Sequence, residues 1–409
     1  MWSILGNQAL CCSGKVCCAF MCGACMRKCK TKSVHHARFG YITLSFLGCL
    51  LSLIVIFVGP SFSDKLDEYG IVDCNNDDLK CLGTSTAYRI GFSMGIFFCI
   101  TTLITLIGGE IYVLFEYGCW PLKFGLFVSL LVLSFLIPNS AFNWILALSI
   151  IFSIIFLAVQ LILLIDFAYT WNQTWVENYD TGNESKFWLF WMFFFTGLSW
   201  ALITTMAICS FFYFQCTLAI ISTSACAVLG IAITAINSSN LIEHGSLLTS
   251  SIISLLFNYL NFSALSANPD SDCNVWEPDD YNFLLLFCDL LLCLASMIFY
   301  AFKHNPEAAH QSAATMMEMH AINEDTSSDI EEDTKEISES AQQDSAYFHL
   351  LMACYSLTLG MILTNWGLVS GFSTYLSFIV RASQTFALIS LFIWSMYAPA
   401  CCPDRDFSL

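Results

Sequence analysis

Of 409 residues, 57% are hydrophobic and 11% charged, against about 25% charged in a soluble domain. The apolar residues gather in runs of about twenty, the length that crosses ~30 Å of hydrocarbon at 1.5 Å per residue. That excludes a soluble fold, and the net charge of −17 does not alter the reading, because acids contribute weakly to membrane orientation.

Residues 1–36 form a Cys-rich segment. CCSGKVCCAFMCGACMRKC (11–29) sets seven cysteines in nineteen positions, among apolar residues and ahead of basic ones. The pattern suits S-acylation, with Cys11, Cys12, Cys17 and Cys18 as candidates. An unmodified interfacial segment is one alternative. A zinc site on Cys22 and Cys25 is the other, opposed by the lack of two separated ligand pairs. Trp2 in place of glycine excludes myristoylation.

Ten helical spans are expected: Ala37–Val58, Ala87–Ile107, Lys123–Pro138, Phe142–Phe167, Phe187–Phe214, Cys216–Ile236, Ser246–Ala267, Tyr281–Phe302, Tyr347–Trp366 and Thr374–Pro399. Residues 37–302 thus carry spans one to eight and 347–399 the last two, ahead of a 400–409 tail. The third is short and ends at Pro138. Neither barrel-like alternation nor a cleavable signal peptide is expected. The first 63 residues contain six Lys/Arg and no acid, which puts the amino terminus in the cytosol. Ten crossings return the carboxyl terminus there.

The first outer loop, Gly59–Thr86, carries Cys74 and Cys81, a pair expected to be oxidised on a non-cytosolic face. Cys273 stands alone in the outer loop after span seven. Residues 303–346 read as an acidic, disordered cytosolic loop, since Asn323–Asp344 holds nine acids and one lysine and cannot bury a core. The sequons at Asn172, Asn183, Asn237 and Asn261 fall in the cytosol or inside a span, so no N-glycan is expected.

LLIDFAYTWNQTWVENYD (163–180) continues the fourth span. At 100° per residue, Asp166, Thr170, Gln173, Glu177 and Asp180 align on one face, and Phe167, Trp171, Trp175 and Tyr179 on another. This is an amphipathic helix whose rings belong at the headgroup level. From Phe142 to Trp175 an unbroken helix would measure about 51 Å, more than a bilayer's hydrocarbon, so it must tilt, bend or emerge along the surface. Polar groups inside spans are the functional candidates, because lipid offers them no partners. They are Gln160 and Asp166 in span four, Asp289 in span eight and Arg381 in span ten. Asp289 and Arg381 should find partners or line a wet groove; Arg381 could instead snorkel outward, and Asp289 could be a helix-packing group. Glu110 and Glu116 lie near the first inner loop. His349 reads as interfacial.

Four long stretches resemble the serine incorporator family, also called the tumour-differentially-expressed membrane proteins. They are QLILLIDFAYTWNQTWVE (160–177), SLLTSSIISLLFNYLNFSALSANPDSDCN (246–274), YFHLLMACYSLTLGMILTNW (347–366) and YAPACCPDRDF (397–407). The resemblance covers essentially the whole chain and implies an all-α membrane fold of ten helices in two subdomains, crossed by a long diagonal fourth helix. It makes Trp171, Asn172, Trp175, Asn365, Trp366 and Arg405 signature positions. It implies non-selective phospholipid scrambling along a groove between the subdomains, or a scaffold or carrier role in serine incorporation into phosphatidylserine and sphingolipids. In the first reading Gln160 and Asp166 line the groove, with Asp289 across the interface.

An ion-coupled amino-acid transporter is less supported, because no Gly/Pro-broken helix pair marks a midplane site. No Ser/His/Asp grouping, metal box or phosphate loop points to an enzyme or a cofactor. Expected partners are phospholipids and sphingolipids, the membrane itself and lipid-synthetic enzymes. A homo-oligomer is compatible; nucleic acid is not expected. Plasma membrane, Golgi and endoplasmic reticulum are all open as locations.

Overall fold

A computed structural model of the chain describes residues 34–58, 79–108, 112, 115–116, 118, 120–181, 185–239, 246–270, 272–274, 283–303, 328–366 and 374–401. Ten helices carry them: α1 Val34–Val58, α2 Leu79–Ile107, α3 Trp120–Ser134, α4 Asn139–Thr181, α5 Ser185–Tyr213, α6 Thr217–Ser238, α7 Leu247–Ser266, α8 Phe283–Lys303, α9 Ser328–Leu363 and α10 Thr374–Cys401. Nine contain stretches long and apolar enough to cross a membrane. Among the described residues the only extended pairing is an isolated antiparallel bridge between Phe214 and Asn274. The protein is an all-α, polytopic membrane protein.

Two compact units form, residues 1–145 with 297–360, and residues 146–296 with 361–409. In the first, α1 and α2 run antiparallel. Gly83 meets the Ile56 backbone, Gly48 meets Met94, and Tyr41 meets Phe97 and Phe98. Close packing of α2 on α9 depends on Gly91, where a Cβ would stand 3.1 Å from the Ser356 carbonyl oxygen and 3.3 Å from Gly360 Cα. Without a hydrophobic force between helices in lipid, such small-residue contacts are the main source of association.

The 15-residue α3 is about 22 Å long, short of a full crossing. Trp120 at its start packs on Tyr41 of α1. At its far end the carbonyls of Ser134 and Ile137 accept hydrogen bonds from Arg89 near the start of α2. Helix α3 therefore runs antiparallel to α2.

The second unit is polar at its centre and apolar outside. Helix α7, rich in Ser, Thr and Asn, has 67% of its span buried, whereas the phenylalanine-rich α5 has 17%. Several of its hydroxyls are satisfied locally, Ser250 on the Ser246 carbonyl and Ser251 on that of Leu248. Ser246 caps the helix, accepting from the Thr249 amide and donating to Asn172 Oδ1 at 2.7 Å. Around α7 lie Leu161, Ile165 and Ala168 of α4, Cys226 and Ile233 of α6, and Leu388 and Phe392 of α10.

Three expectations change. Helix α4 is unbroken over 43 residues, about 64 Å, and its aromatic face is not left to the headgroups alone: Trp171 and Trp175 pack on Phe195 of α5, and Trp175 on Trp188. The acidic segment expected to be disordered is helical from Ser328 onward as the leading part of α9. Extending an existing helix needs no new nucleus, and Gln342 reaches the Thr105 carbonyl of α2 while Asp344 pairs with Arg38 of α1.

Third, Cys273 bonds to Cys216, at the three-residue turn between α5 and α6. Of the expected pair, Cys74 and the side chain of Cys81 lie outside the described residues, as do Cys11, Cys12, Cys17, Cys18 and Arg405. Proteolysis without reductant should yield the Cys216 and Cys273 peptides as one disulfide-linked species by mass spectrometry. Recovery as separate thiol peptides would contradict the bond.

Candidate functional site

In the second unit, side chains of α4, α7, α8, α10 and the end of α9, with the turn after it, line a cavity of about 30 Å³, large enough for water. Its polar lining consists of Gln160, Asp289, Arg381 and Gln384. Asp289 is the seventh residue of α8, and Arg381 the seventh of the apolar span Tyr375–Ala398. Each thus sits about 9 Å along its span, inside the hydrocarbon. A charge at the centre of a bilayer costs ~2.5–3.5 kcal/mol on insertion scales, and here the cost is met by pairing. Arg381 Nη1 lies 2.6 Å from Asp289 Oδ2, and Tyr259 Oη donates to Asp289 Oδ1 at 2.7 Å. Arg381 also donates through Nη1 to Ser263 Oγ and through Nε to Ser377 Oγ. It does not snorkel.

The network ends in an unusual turn. Ser377 Oγ donates to Asn365 Oδ1 at 2.8 Å, and Asn365 and Trp366 both adopt left-handed backbone, at φ 51° and 58°. Asparagine tolerates this region, but tryptophan there is an outlier at a typical cost of 1–3 kcal/mol. Burial of the Trp366 ring, 2% exposed and against the cavity, and the bond from its amide to the Met361 carbonyl at 2.7 Å hold the conformation.

Two donor groups at this cavity remain unspent. Arg381 uses Nε and Nη1, and Nη2 makes no hydrogen bond among the described residues. Gln160 accepts at Oε1 from Cys293 Sγ, while its amide nitrogen likewise has no partner among the described residues. Neither atom is among the fully buried unsatisfied ones.

Of the four groove candidates, Gln160, Asp289 and Arg381 therefore share one cavity. Asp166 does not line it; six residues beyond Gln160 on α4, it projects from another face. All four belong to the second unit, which corrects the expectation that Asp289 faces helix four across a subdomain interface. Nothing in the sequence marks Tyr259, Ser377 and Gln384, because hydroxyls and amides are common in spans and the groups around them lie on other helices.

A second polar cluster occupies the first unit. The carboxylate of Glu116, 2% exposed, lies 2.8 Å from His349 Nε2 and accepts from Ser345 and Tyr41. Its backbone carbonyl accepts from Lys123 Nζ at 2.9 Å. Lys123 lies over the rings of Tyr41 and Trp120, and Arg38 over Phe348. Burial opposes ionisation of Glu116, but His349, with Lys123 and Arg38, outweighs it and holds the carboxyl down at about 2. His349 is fully buried, not interfacial. Among the described residues no group of three or more His, Cys, Asp or Glu side chains forms a metal-binding set.

The family described as serine incorporator (Serinc) matches residues 10–405. Serine incorporator 2 of Bos taurus is 26% identical over 461 residues, covering 97% of this chain and 98% of its own length. Human serine incorporator 2 is 26% identical, with the same shares covered, and a probable serine incorporator of Nematostella vectensis is 25% identical over 96% of this chain and 94% of its own length. With a match running from the Cys-rich amino-terminal segment to the carboxyl tail, the chain belongs to the serine incorporator family.

Proposed function

We propose that this protein acts on membrane lipids as a phospholipid scramblase, with the polar cavity of the second unit as the place where headgroups meet protein. The observation that supports this reading is a charged pair, Asp289 and Arg381, about 9 Å inside its spans beside Gln160 and Gln384. Moving a zwitterionic headgroup through hydrocarbon forfeits its hydration, and polar groups at membrane depth replace part of what is lost. A 30 Å³ cavity admits water and not a headgroup, so transfer requires opening. The points that give are the ion pair and the left-handed turn at Asn365–Trp366. Sphingolipids fit the same chemistry, and the basic, acid-free amino-terminal segment supports cytosolic termini in a plasma-membrane, Golgi or endoplasmic-reticulum protein.

The test is reconstitution of the purified chain into sealed vesicles containing acyl-labelled fluorescent phospholipid, with an impermeant reductant added outside. Bleaching well beyond one half is expected. A plateau near one half would remove scrambling and favour the second reading, a scaffold or carrier for serine incorporation, which rests on the name of the relatives and on the acidic leading part of α9. That alternative cannot be tested by deleting Asn323–Asp344, because Gln342 and Asp344 pack on α2 and α1. Neutralising Asp329, Glu331, Glu332 and Asp333 is the cleaner variant. An amino-acid transporter is a weaker reading, and no catalytic role is proposed.

A further inference from the structure

We propose that the Asp289–Arg381 pair is an exchange site for a zwitterion bearing a primary ammonium, with its anionic group on Arg381 and its ammonium on Asp289. This rests on the lipid-handling reading and adds the class of headgroup. The donor and acceptor inventory carries it. An anion needs unspent donors, and the cavity offers them at Arg381 Nη2 and the Gln160 amide. An ammonium needs an acceptor, and Asp289 Oδ1 accepts one hydrogen bond, from Tyr259, while Oδ2 lies in ion-pair contact with Arg381 Nη1. A carboxylate has about four lone-pair sites, so two remain.

Charge sets the preference. The resident pair is neutral as a unit, and adding a zwitterion keeps the buried total neutral. A headgroup with anionic charge alone would leave a net negative charge beside Asp289 in a low-dielectric site, where like charges repel strongly. A quaternary ammonium has no N–H to give Asp289 and is held less well than a primary one. The occupant can come from a phosphoethanolamine-type lipid headgroup or from a free amino acid, which shares the chemistry. Non-selective transfer, as the family resemblance implies, concerns the rate of crossing; occupancy of this site is a separate quantity.

The experiment is thermal stabilisation of the full-length protein in detergent by dihexanoyl-phosphatidylethanolamine and dihexanoyl-phosphatidylglycerol, each below its micellar concentration, and by L-serine. Phosphatidylethanolamine should raise the melting temperature, phosphatidylglycerol should not, and Asp289→Asn should abolish the difference. Gln160→Leu, which leaves the ion pair in place, keeps the test decisive if Asp289→Asn does not fold; it should weaken the zwitterion's half-effect concentration about tenfold, the size of one lost hydrogen bond to a charged group. A matching rise with L-serine supports the site and assigns the free amino acid; no rise with L-serine supports it and assigns the lipid. Equal rises with both lipids, no rise with any of the three, or responses surviving both substitutions overturn the proposal. Binding without bleaching beyond one half in vesicles would refute scrambling and leave the site standing.

Discussion

Replacing Glu116 by alanine should cost the protein about 3–5 kcal/mol, the usual penalty for removing one partner of a buried ion pair. The carboxylate joins His349, Ser345 and Tyr41, and its loss leaves the buried Lys123 ammonium without the carboxylate that balances it, while Arg38 keeps Asp344. Glu116→Gln should cost less, because it keeps hydrogen-bonding capacity while dropping the charge. The same group sets an acid limit. With its carboxyl held at about 2 against an ordinary 4.5, the folded state binds this proton more weakly than the unfolded chain does. Its contribution is complete above about 4.5 and is lost as pH falls toward about 2, by a few kcal/mol. Tryptophan fluorescence during unfolding in detergent across that range should show the loss in the wild type and little of it in Glu116→Ala. Parallel pH profiles for the two would contradict the assignment.

The second large effect is expected at Arg381. Arg381→Ala leaves Asp289 in its span with only the Tyr259 hydroxyl, at a cost of about 3–5 kcal/mol. An Asp289→Leu/Arg381→Met double variant should regain most of it, since replacing a buried pair by apolar side chains of similar size is often neutral or better. Cys293, buried on the cavity wall, is a built-in reporter. A thiol-reactive dye should label it faster in Arg381→Ala than in the wild type, and the double variant should return to slow labelling. Additive single-variant effects would show that the two side chains do not act as a pair.

Much of this was legible in the amino-acid order, and the limits have physical causes. Length and hydropathy place the helices, because a bilayer leaves few other ways to satisfy the backbone. Asp289 and Arg381 stand out as expensive groups in apolar runs, but nothing local joins residues 92 positions apart; their shared distance from the start of their spans was the available hint. Cys216 falls at the first residue of an expected span, which hides it as the partner of Cys273, although the expected topology puts both at the outer ends of their helices. The acidic run before span nine has the composition of a disordered segment. Its helix depends on what it extends from and on Gln342 and Asp344, whose partners lie on α2 and α1.

The central claim is that lipid headgroups meet the protein at the cavity beside Asp289 and Arg381. It is tested most directly with Gln160→Leu/Gln384→Leu, which strips polar lining from that cavity and leaves the ion pair. Reconstituted at matched density, and with its melting temperature checked against the wild type, this variant should slow lipid exchange about tenfold, as a rise of 1.4 kcal/mol in the barrier would do. An exchange rate equal to that of the wild type, from a protein equally well folded, would contradict the account.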